Sequence, residues 1–160
     1  MEDILRILEK DGRTSPERIA QMTGRSLEEV RQAIRQAEAE RIILAYRTQV
    51  DWEKVGQGPV YALIEVRITP QREVGFDAVA NRIARFPEVR SMHLVSGDYD
   101  LAVQVTGKSI YEIASFVTDK LAVIDAVQGT ATHFILKRYK EEGVLLRGED
   151  GVAGRLPLSP

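Results

Sequence analysis

The chain begins with apolar residues that recur at helical spacing. Ile4, Leu5, Ile7 and Leu8 lie on one side of a helix predicted over residues 2–10. Asp11-Gly12 then interrupts the pattern. The first element is therefore an amphipathic helix that buries one face against its neighbours.

A second helix is predicted to begin at Ser15-Pro16 and to end at Gly24. A serine hydroxyl can accept a hydrogen bond from an unpaired N–H of the first turn, and proline suits the first helical position. The inner face of this helix is predicted to consist of Ile19, Ala20 and Met22.

A third helix is predicted to begin at Ser26, because Glu29 follows three residues later and completes a capping box. Its apolar stripe consists of Leu27, Val30, Ala33, Ile34 and Ala37. The second and third helices are joined by a tight turn at Gly24. This arrangement is typical of a helix-turn-helix, whose second helix enters the major groove of DNA.

The face opposite that stripe carries candidate DNA contacts. Arg31 and Arg35 could bind guanine bidentately, and Gln32 could bind adenine in the same way. Arg25 and Ser26, at the turn and the helix start, are placed to hold phosphate. The alternative is an ordinary solvated helix face, which any unit of three helices has.

Residues 42–50 predict a short strand that leaves the helical unit, with Ile42, Ile43 and Leu44 as its apolar part. Tyr46 and Arg47 either form a small wing against the DNA backbone or belong to plain strand surface. A stretch with two glycines and a proline, residues 51–59, then predicts a linker.

The second half of the chain changes period and predicts strands that alternate with helices. The predicted elements are a strand over 61–68, a helix from 76 to 86, strands over 89–95 and 101–105, a helix from 109 to 121 and a strand over 130–136. This order is that of a ferredoxin-like sandwich, with both helices on one sheet face. We expect the other face to be bare and apolar, and to pair two copies of the chain.

The sequence thus predicts an α+β protein. It has a winged helix-turn-helix domain (1–50), a linker (51–59), a ferredoxin-like βαββαβ domain for dimerisation (60–142) and a flexible tail (143–160). The chain has no cysteine and no apolar run long enough for a membrane helix, so we expect a cytoplasmic protein. Residues 1–50 carry nine Lys/Arg and nine Asp/Glu. Such a module should bind DNA weakly unless it is at least a dimer.

Three stretches carry a resemblance to the Lrp/AsnC (feast/famine) family of transcription regulators. They are Asp11-Gly12-Arg13, Ile42 to Tyr46, and Val95-Ser96-Gly97-Asp98-Tyr99-Asp100-Leu101. The resemblance implies a double-stranded DNA partner, a homodimer that can build octamers or larger assemblies, and an amino acid or related metabolite as effector. This sequence departs from the family at Ala33, Ala37 and Arg41, where arginine, leucine and glycine are frequent.

The resemblance also implies an effector cleft near the turn at residues 97–100. Its candidate residues are Gly97, Asp98, Tyr99 and Asp100 in the turn, with Thr130, Thr132 and His133 from the last strand of a neighbouring subunit. A turn carboxylate could receive an ammonium group, and exposed turn N–H groups could receive a carboxylate. The plain alternative is a hairpin turn that needs glycine and Asx residues.

Other functions are less favoured by the sequence. The two histidines, His93 and His133, sit on separate strands without acidic neighbours at ligand spacing, so neither a metal site, a cofactor nor a catalytic residue is predicted. An enzyme similar to siroheme decarboxylases would use His93, Tyr99 and His133 toward a tetrapyrrole. A ligand sensor whose neutral helical domain has lost DNA binding is the third reading.

Overall fold

The computed structural model describes residues 1–56, 58–69 and 76–146. The chain divides into two compact units, Met1–Val50 and Asp51–Pro160. The first is entirely helical in its regular elements, and the second is built on an antiparallel sheet. Each unit has its own buried core, as expected when two short segments fold separately.

The first unit contains the three predicted helices, α1 (Glu2–Lys10), α2 (Pro16–Thr23) and α3 (Leu27–Ala39). Ser15 caps α2 by accepting from the Arg18 N–H, and the left-handed Gly24 ends that helix. The core consists of Ile4, Ile19 and Val30, one from each helix. Met22 was expected on the inner face of α2, but its side chain is 56% exposed. It lies about 300° around the helix from Ile19, on the edge of the stripe.

The segment after α3 does not form the strand that the sequence predicts for residues 42–50. Within residues 1–50 no strand is present, since no second extended segment lies in that unit to pair with it. Instead, the Ile42 N–H donates to the Ala37 carbonyl at 2.8 Å and the Arg41 N–H donates to the Glu38 carbonyl at 3.1 Å. These two bonds are a Schellman motif, which places Arg41 in the left-handed region with φ of 56°.

The second unit follows the predicted βαββαβ order. Its elements are α4 (Trp52–Val55), β1 (Val60–Ile68), α5 (Asp77–Ala84), β2 (Val89–Leu94), β3 (Leu101–Gly107), α6 (Ile110–Ser115), a π-helical continuation of α6 (Phe116–Leu121) and β4 (Val127–Phe134). The short α4 lies where the sequence predicts an irregular linker. The last strand begins and ends two to three residues earlier than predicted.

The four strands form an antiparallel sheet in the order β2-β3-β1-β4. The residues on its helix-covered face are buried: Ala62, Ile64, Val66 and Ile68 from β1, and Leu101, Val103 and Val105 from β3. They pack against α5 and α6 through Ile83, Ile113 and Phe116. Because strand side chains alternate between faces, this packing fixes which residues of each strand face outward.

The outer face of the sheet is mixed in character, so the prediction of an apolar face is wrong. Its central strands expose Tyr61, Leu63, Glu65, Arg67, Ala102, Gln104 and Thr106, and β4 adds Gly129, Ala131 and His133. The valines and isoleucines of β1 all point to the helix side, because that alternation buries them most completely. Apolar area on the outer face is left mainly to Tyr61 and Leu63.

The chain beyond β4 forms a small hairpin of β5 (Lys140–Glu141) and β6 (Val144–Leu145). The sequence places Gly143 to Leu146 in a flexible tail, but the structure puts them in this hairpin, with Leu146 buried. The rest of the predicted tail, residues 147–160, lies outside the described residues. Among the described helices none has the length and apolar character needed to cross a bilayer.

Candidate DNA-contacting and effector sites

The outer face of α3 presents Arg31, Gln32 and Arg35, and all three side chains are exposed. Arg31 Nη2 donates to Glu17 Oε1 of α2 at 2.9 Å. Arg35 Nη2 donates to Glu28 Oε1, also at 2.9 Å, across two turns of α3. The candidate base-reading arginines are therefore exposed and already engaged with carboxylates.

Arg25 occupies the turn before α3 and is also engaged with an acid. Its Nε lies 3.0 Å from Asp3 Oδ2, and its Nη2 lies 3.4 Å from Asp3 Oδ1. These hydrogen bonds, together with the bond from the N-terminal ammonium group, hold the pKa of Asp3 well below its usual range. The Asp3 carboxylate in turn raises the pKa of Arg25. Both groups are thus charged at neutral pH.

Ser26 is occupied by its own helix. Its hydroxyl accepts from the Glu29 N–H and donates to Glu29 Oε2 at 2.7 Å, and its backbone N–H also donates to Glu29. The predicted capping box is confirmed. The predicted phosphate contact of Ser26 would have to displace the Glu29 carboxylate, whose pKa these bonds lower.

Arg47 lies in the extended segment after α3 and is exposed. Its neighbour Tyr46 packs at the turn between α1 and α2, where a methyl group on Gly12 would come within 3.1 Å of the tyrosine ring. The Tyr46 hydroxyl donates to Glu38 Oε1 at 3.0 Å. Burial, followed by this hydrogen bond, raises the pKa of Tyr46. Tyr46 therefore anchors the segment, and Arg47 remains available to a partner.

The turn at residues 97–100 is tied to the sheet. Gly97 has φ of 146°, a value that a side chain disfavours. Asp100 Oδ2 accepts from the Ile68 N–H at 2.8 Å, and the Asp100 N–H donates to the Val66 carbonyl at 3.0 Å. The Asp100 carboxylate thus extends the β1–β3 ladder, while the Asp98 side chain is exposed.

Beside this turn, a recess of about 190 Å³ opens on the outer sheet face. Its lining consists of Glu65, Arg67, Tyr99, Gly129, Thr130 and Ala131. The structure brings Tyr99 and Thr130 together within one chain, whereas the sequence analysis expected the last strand to come from a neighbouring subunit. Thr130 pairs with the buried Val66, so its side chain belongs to the helix side of the sheet. Thr132 pairs with the buried Ile64 and lies on the helix side of the sheet, away from His133, so strand alternation separates those two candidates.

Sequence reasoning missed Glu65 and Arg67, which supply the charges of the recess. They are two residues apart on β1 and so share its outer face. Arg67 Nε donates to the Asp98 carbonyl at 3.0 Å, and Glu65 Oε1 lies 3.3 Å from His133 Nε2. The available signal was the pair of opposite charges within an otherwise apolar strand.

The two histidines do not converge. His93 is on β2 and His133 is on β4, which are the two edge strands of the sheet. Among the described residues there is also no cluster of three side chains suited to a metal ion. His133 does not line the recess and meets it through Glu65.

Family models match both units. The Lrp/AsnC ligand binding domain matches residues 61–145, and a winged helix-turn-helix DNA-binding model matches residues 2–43. The chain is 47% identical over 160 residues to the uncharacterised HTH-type transcriptional regulator YugG of Bacillus subtilis, covering 99% of this chain and 95% of the relative. It is 31% identical over 137 residues to the regulator LrpA of Pyrococcus abyssi, with 86% and 94% covered.

Solved structures share the fold. A regulator of Neisseria meningitidis in complex with L-Met aligns with a TM-score of 0.66 and 24% identity, covering 87% of this chain and 89% of that one. A feast or famine regulatory protein of M. tuberculosis complexed with L-methionine aligns with a TM-score of 0.70 and 20% identity, covering 91% and 96%. With a helix-turn-helix unit followed by a ferredoxin-like sheet, and with both family models matched in that order, this chain belongs to the Lrp/AsnC family of HTH-type transcriptional regulators.

Proposed function

We propose that the protein regulates transcription by binding specific DNA sequences through α3, and that an amino acid or related metabolite changes its assembly or its affinity for DNA. The observation that carries the effector part is the pair Glu65 and Arg67 in the recess beside the turn. An anionic and a cationic group on one strand face match the ammonium and carboxylate groups of a zwitterion. Tyr99 supplies an apolar wall for the side chain of the ligand.

The proposed DNA contacts are Arg31, Gln32 and Arg35 to base edges, with Arg25 and Arg47 to phosphates. All five lie in the exposed part of the first unit. Ser26 contributes by fixing the start of α3. Because the first fifty residues have no net charge, one copy neutralises few phosphates. A homodimer, or a larger assembly such as an octamer, would hold several α3 helices on one DNA and raise the affinity.

We propose a cytoplasmic regulator without catalytic activity. A decarboxylase acting on siroheme would need its histidines at one tetrapyrrole, but His93 and His133 lie on opposite edges of the four-stranded sheet. Three strand spacings separate those edges by about 14 Å within one chain. If the protein mixed with siroheme changed the absorption spectrum of the pigment, the enzymatic reading would return.

DNA binding is tested by footprinting on genomic fragments selected by the purified full-length protein at low salt. We expect a protected site, and Arg31→Ala and Arg35→Ala should each weaken binding by about 1–3 kcal/mol without changing the oligomeric state. Arg6→Ala, on α1 and paired with Glu2, is the matched control. The absence of any protected site at micromolar protein would favour a sensor that has lost DNA binding.

The effector is tested by thermal shift against a panel of amino acids, with light scattering to follow assembly. A ligand at one hundred times its dissociation constant should add about 2.7 kcal/mol to the free energy of unfolding. Glu65→Gln and Arg67→Gln should each abolish the shift. A shift that survives both substitutions would place the effector elsewhere.

A further inference from the structure

A second and larger cleft lies in the sheet unit, away from the recess at the turn. It has a volume of about 780 Å³. Its lining consists of Trp52, Gly58, Pro59, Tyr61, Arg90, Thr106, Gly107, Lys108 and Glu112. Val60 pairs with Gly107 at this end of the sheet, and Val66 pairs with Leu101 at the end near the turn. Tyr61 of the cleft and Glu65 of the recess are four residues apart on β1, which is about 13 Å.

The walls of this cleft are aromatic. Trp52, in α4, is partly exposed and folds back so that its Cβ lies 3.6 Å from the position of a methyl group on Gly58. Tyr61, at the start of β1, is held by Arg138, whose guanidinium carbon is 4.1 Å from the centre of the tyrosine ring. Two aromatic side chains at one cleft offer a flat apolar surface to a ligand.

The charged groups of the cleft are predominantly positive. Arg90 and Lys108 are both exposed, and within the described ranges of the chain neither forms an ion pair. The single acid is Glu112, whose carboxylate accepts from the Lys108 backbone N–H. That hydrogen bond fixes the carboxylate at the start of α6, and the two cationic side chains remain to face a ligand.

We propose that this cleft binds a small organic carboxylate with an aromatic or aliphatic body. The body lies against Trp52 and Tyr61, and Arg90 and Lys108 receive the carboxylate. Glu112 is the single acid among the lining residues, and one of its oxygens accepts from the Lys108 N–H, so the two cations outweigh it. The excess of positive charge favours simple acids, whereas the recess offers one acid and one cation, Glu65 and Arg67.

The chain provides a direct reporter, because Trp52 is its only tryptophan. Titration of the full-length protein with 3-phenylpropionate should give a saturable change in tryptophan fluorescence. The uncharged 3-phenylpropionamide and the cationic 3-phenylpropylamine have the same body, and each should bind at least about fivefold more weakly, since each lacks the attraction to the two cations. Equal binding of the three compounds would overturn the proposal.

Substitutions locate the site. Arg90→Gln and Lys108→Gln should each weaken binding of 3-phenylpropionate about three- to fivefold, as expected for loss of a partly exposed charge pair. Arg82→Gln, an exposed cation on α5, is the matched control and should leave binding unchanged. Unchanged binding in both cleft variants would overturn the proposal. Loss of 3-phenylpropionate binding in Glu65→Gln would also overturn it, because that result would assign the compound to the recess.

The proposals for the recess and for the cleft can be contradicted independently. Amino acids that bind only at the recess should shift the melting temperature without the fluorescence change that depends on Lys108. If the amino-acid shift is absent while 3-phenylpropionate still binds with the predicted charge dependence, the effector proposal fails and the cleft stands. If amino acids shift the melting temperature but 3-phenylpropionate does not bind with the predicted charge dependence, the cleft proposal fails and the effector proposal stands.

Discussion

The carboxylate of Glu17 on α2 holds the guanidinium of Arg31 on α3, with 2.9 Å between Oε1 and Nη2. The pKa of Glu17 lies below its usual value because the carboxylate accepts from its own backbone N–H, from the Ser15 hydroxyl and from Arg31. The Glu17 carboxylate is therefore charged at neutral pH. DNA must compete with the Glu17 carboxylate for Arg31. The helical unit therefore opposes DNA binding through this ion pair as well as through its lack of net charge.

Glu17→Gln should raise affinity for DNA. The substitution keeps the shape of the side chain and removes a charge that competes with phosphate and base acceptors, so we expect about two- to fivefold tighter binding by fluorescence anisotropy. Glu9→Gln, an exposed acid on α1, removes the same charge away from α3. If both variants gain the same affinity for DNA, net charge alone governs that affinity. A loss of affinity in Glu17→Gln would mean that the pair orients Arg31 for binding.

Arg41→Gly should stabilise the helical unit. Arg41 has φ of 56° at the position of the Schellman motif that favours glycine, and a side chain there costs about 1 kcal/mol. This is also one of the positions where the sequence departs from its family. Chemical denaturation should show a gain of about 0.5–1 kcal/mol. Glu40→Gly, one residue earlier with φ of −79°, should instead destabilise the unit.

Asp100→Ala should destabilise the sheet unit by about 1–3 kcal/mol, because it leaves the Ile68 N–H without its acceptor. Any loss of effector response in this variant would then follow from a displaced turn. Asp98→Ala is the matched control, since the Arg67 contact uses the backbone carbonyl of Asp98 and survives the substitution. Equal unfolding free energies for the two variants would show that the Asp100 bond contributes nothing.

Glu88→Gln should make the free energy of unfolding less dependent on pH in the acid range. Burial of the Glu88 carboxyl favours its neutral form, but the hydrogen bond from Lys120, a hydrogen bond from its own backbone N–H and the charge of Lys120 together lower its pKa below the ordinary 4.5. The pair therefore contributes its full stabilisation above about pH 4.5, and this is lost as the pH falls through the lower folded-state pKa.

In urea unfolding from pH 6 to pH 3 (roughly the window of carboxyl titration), the difference between the native protein and Glu88→Gln should shrink toward acid. Lys108→Gln removes a lysine of the same unit that pairs with no acid in the described part of the chain, and it should follow the native curve. A constant difference across the range would contradict the assignment to Glu88.

The elements that depend on local signals were predictable. The starts of α2, α3 and α6 follow from serine caps, and the cap residues Ser15, Ser26 and Ser109 all accept the expected backbone hydrogen bond. The order of strands and helices follows from the change of hydrophobic period. The family resemblance added the proposed effector role of the turn at residues 97–100, which no local signal distinguishes from an ordinary hairpin.

Pairing between distant segments was not predictable in the same way. Residues 42–50 have strand-like composition, but a strand needs a hydrogen-bonding partner, and the first unit provides none. The outer face of the sheet was predicted to be apolar because composition does not state which side of β1 the helices cover. Thr132 and His133 were grouped by proximity in sequence, and the alternation of β4 separates them.

The sequence by itself determined the helices, the βαββαβ order and the family, because caps, periodicity and turn residues act over a few positions. Only the tertiary structure decided how side chains from separate elements meet. Glu17 reaches Arg31 because α2 packs on α3, and Glu65 and Arg67 share a recess with Tyr99 because β1 lies between β3 and β4. Strand register and helix packing fix such meetings, and both arise from contacts between residues far apart in the chain.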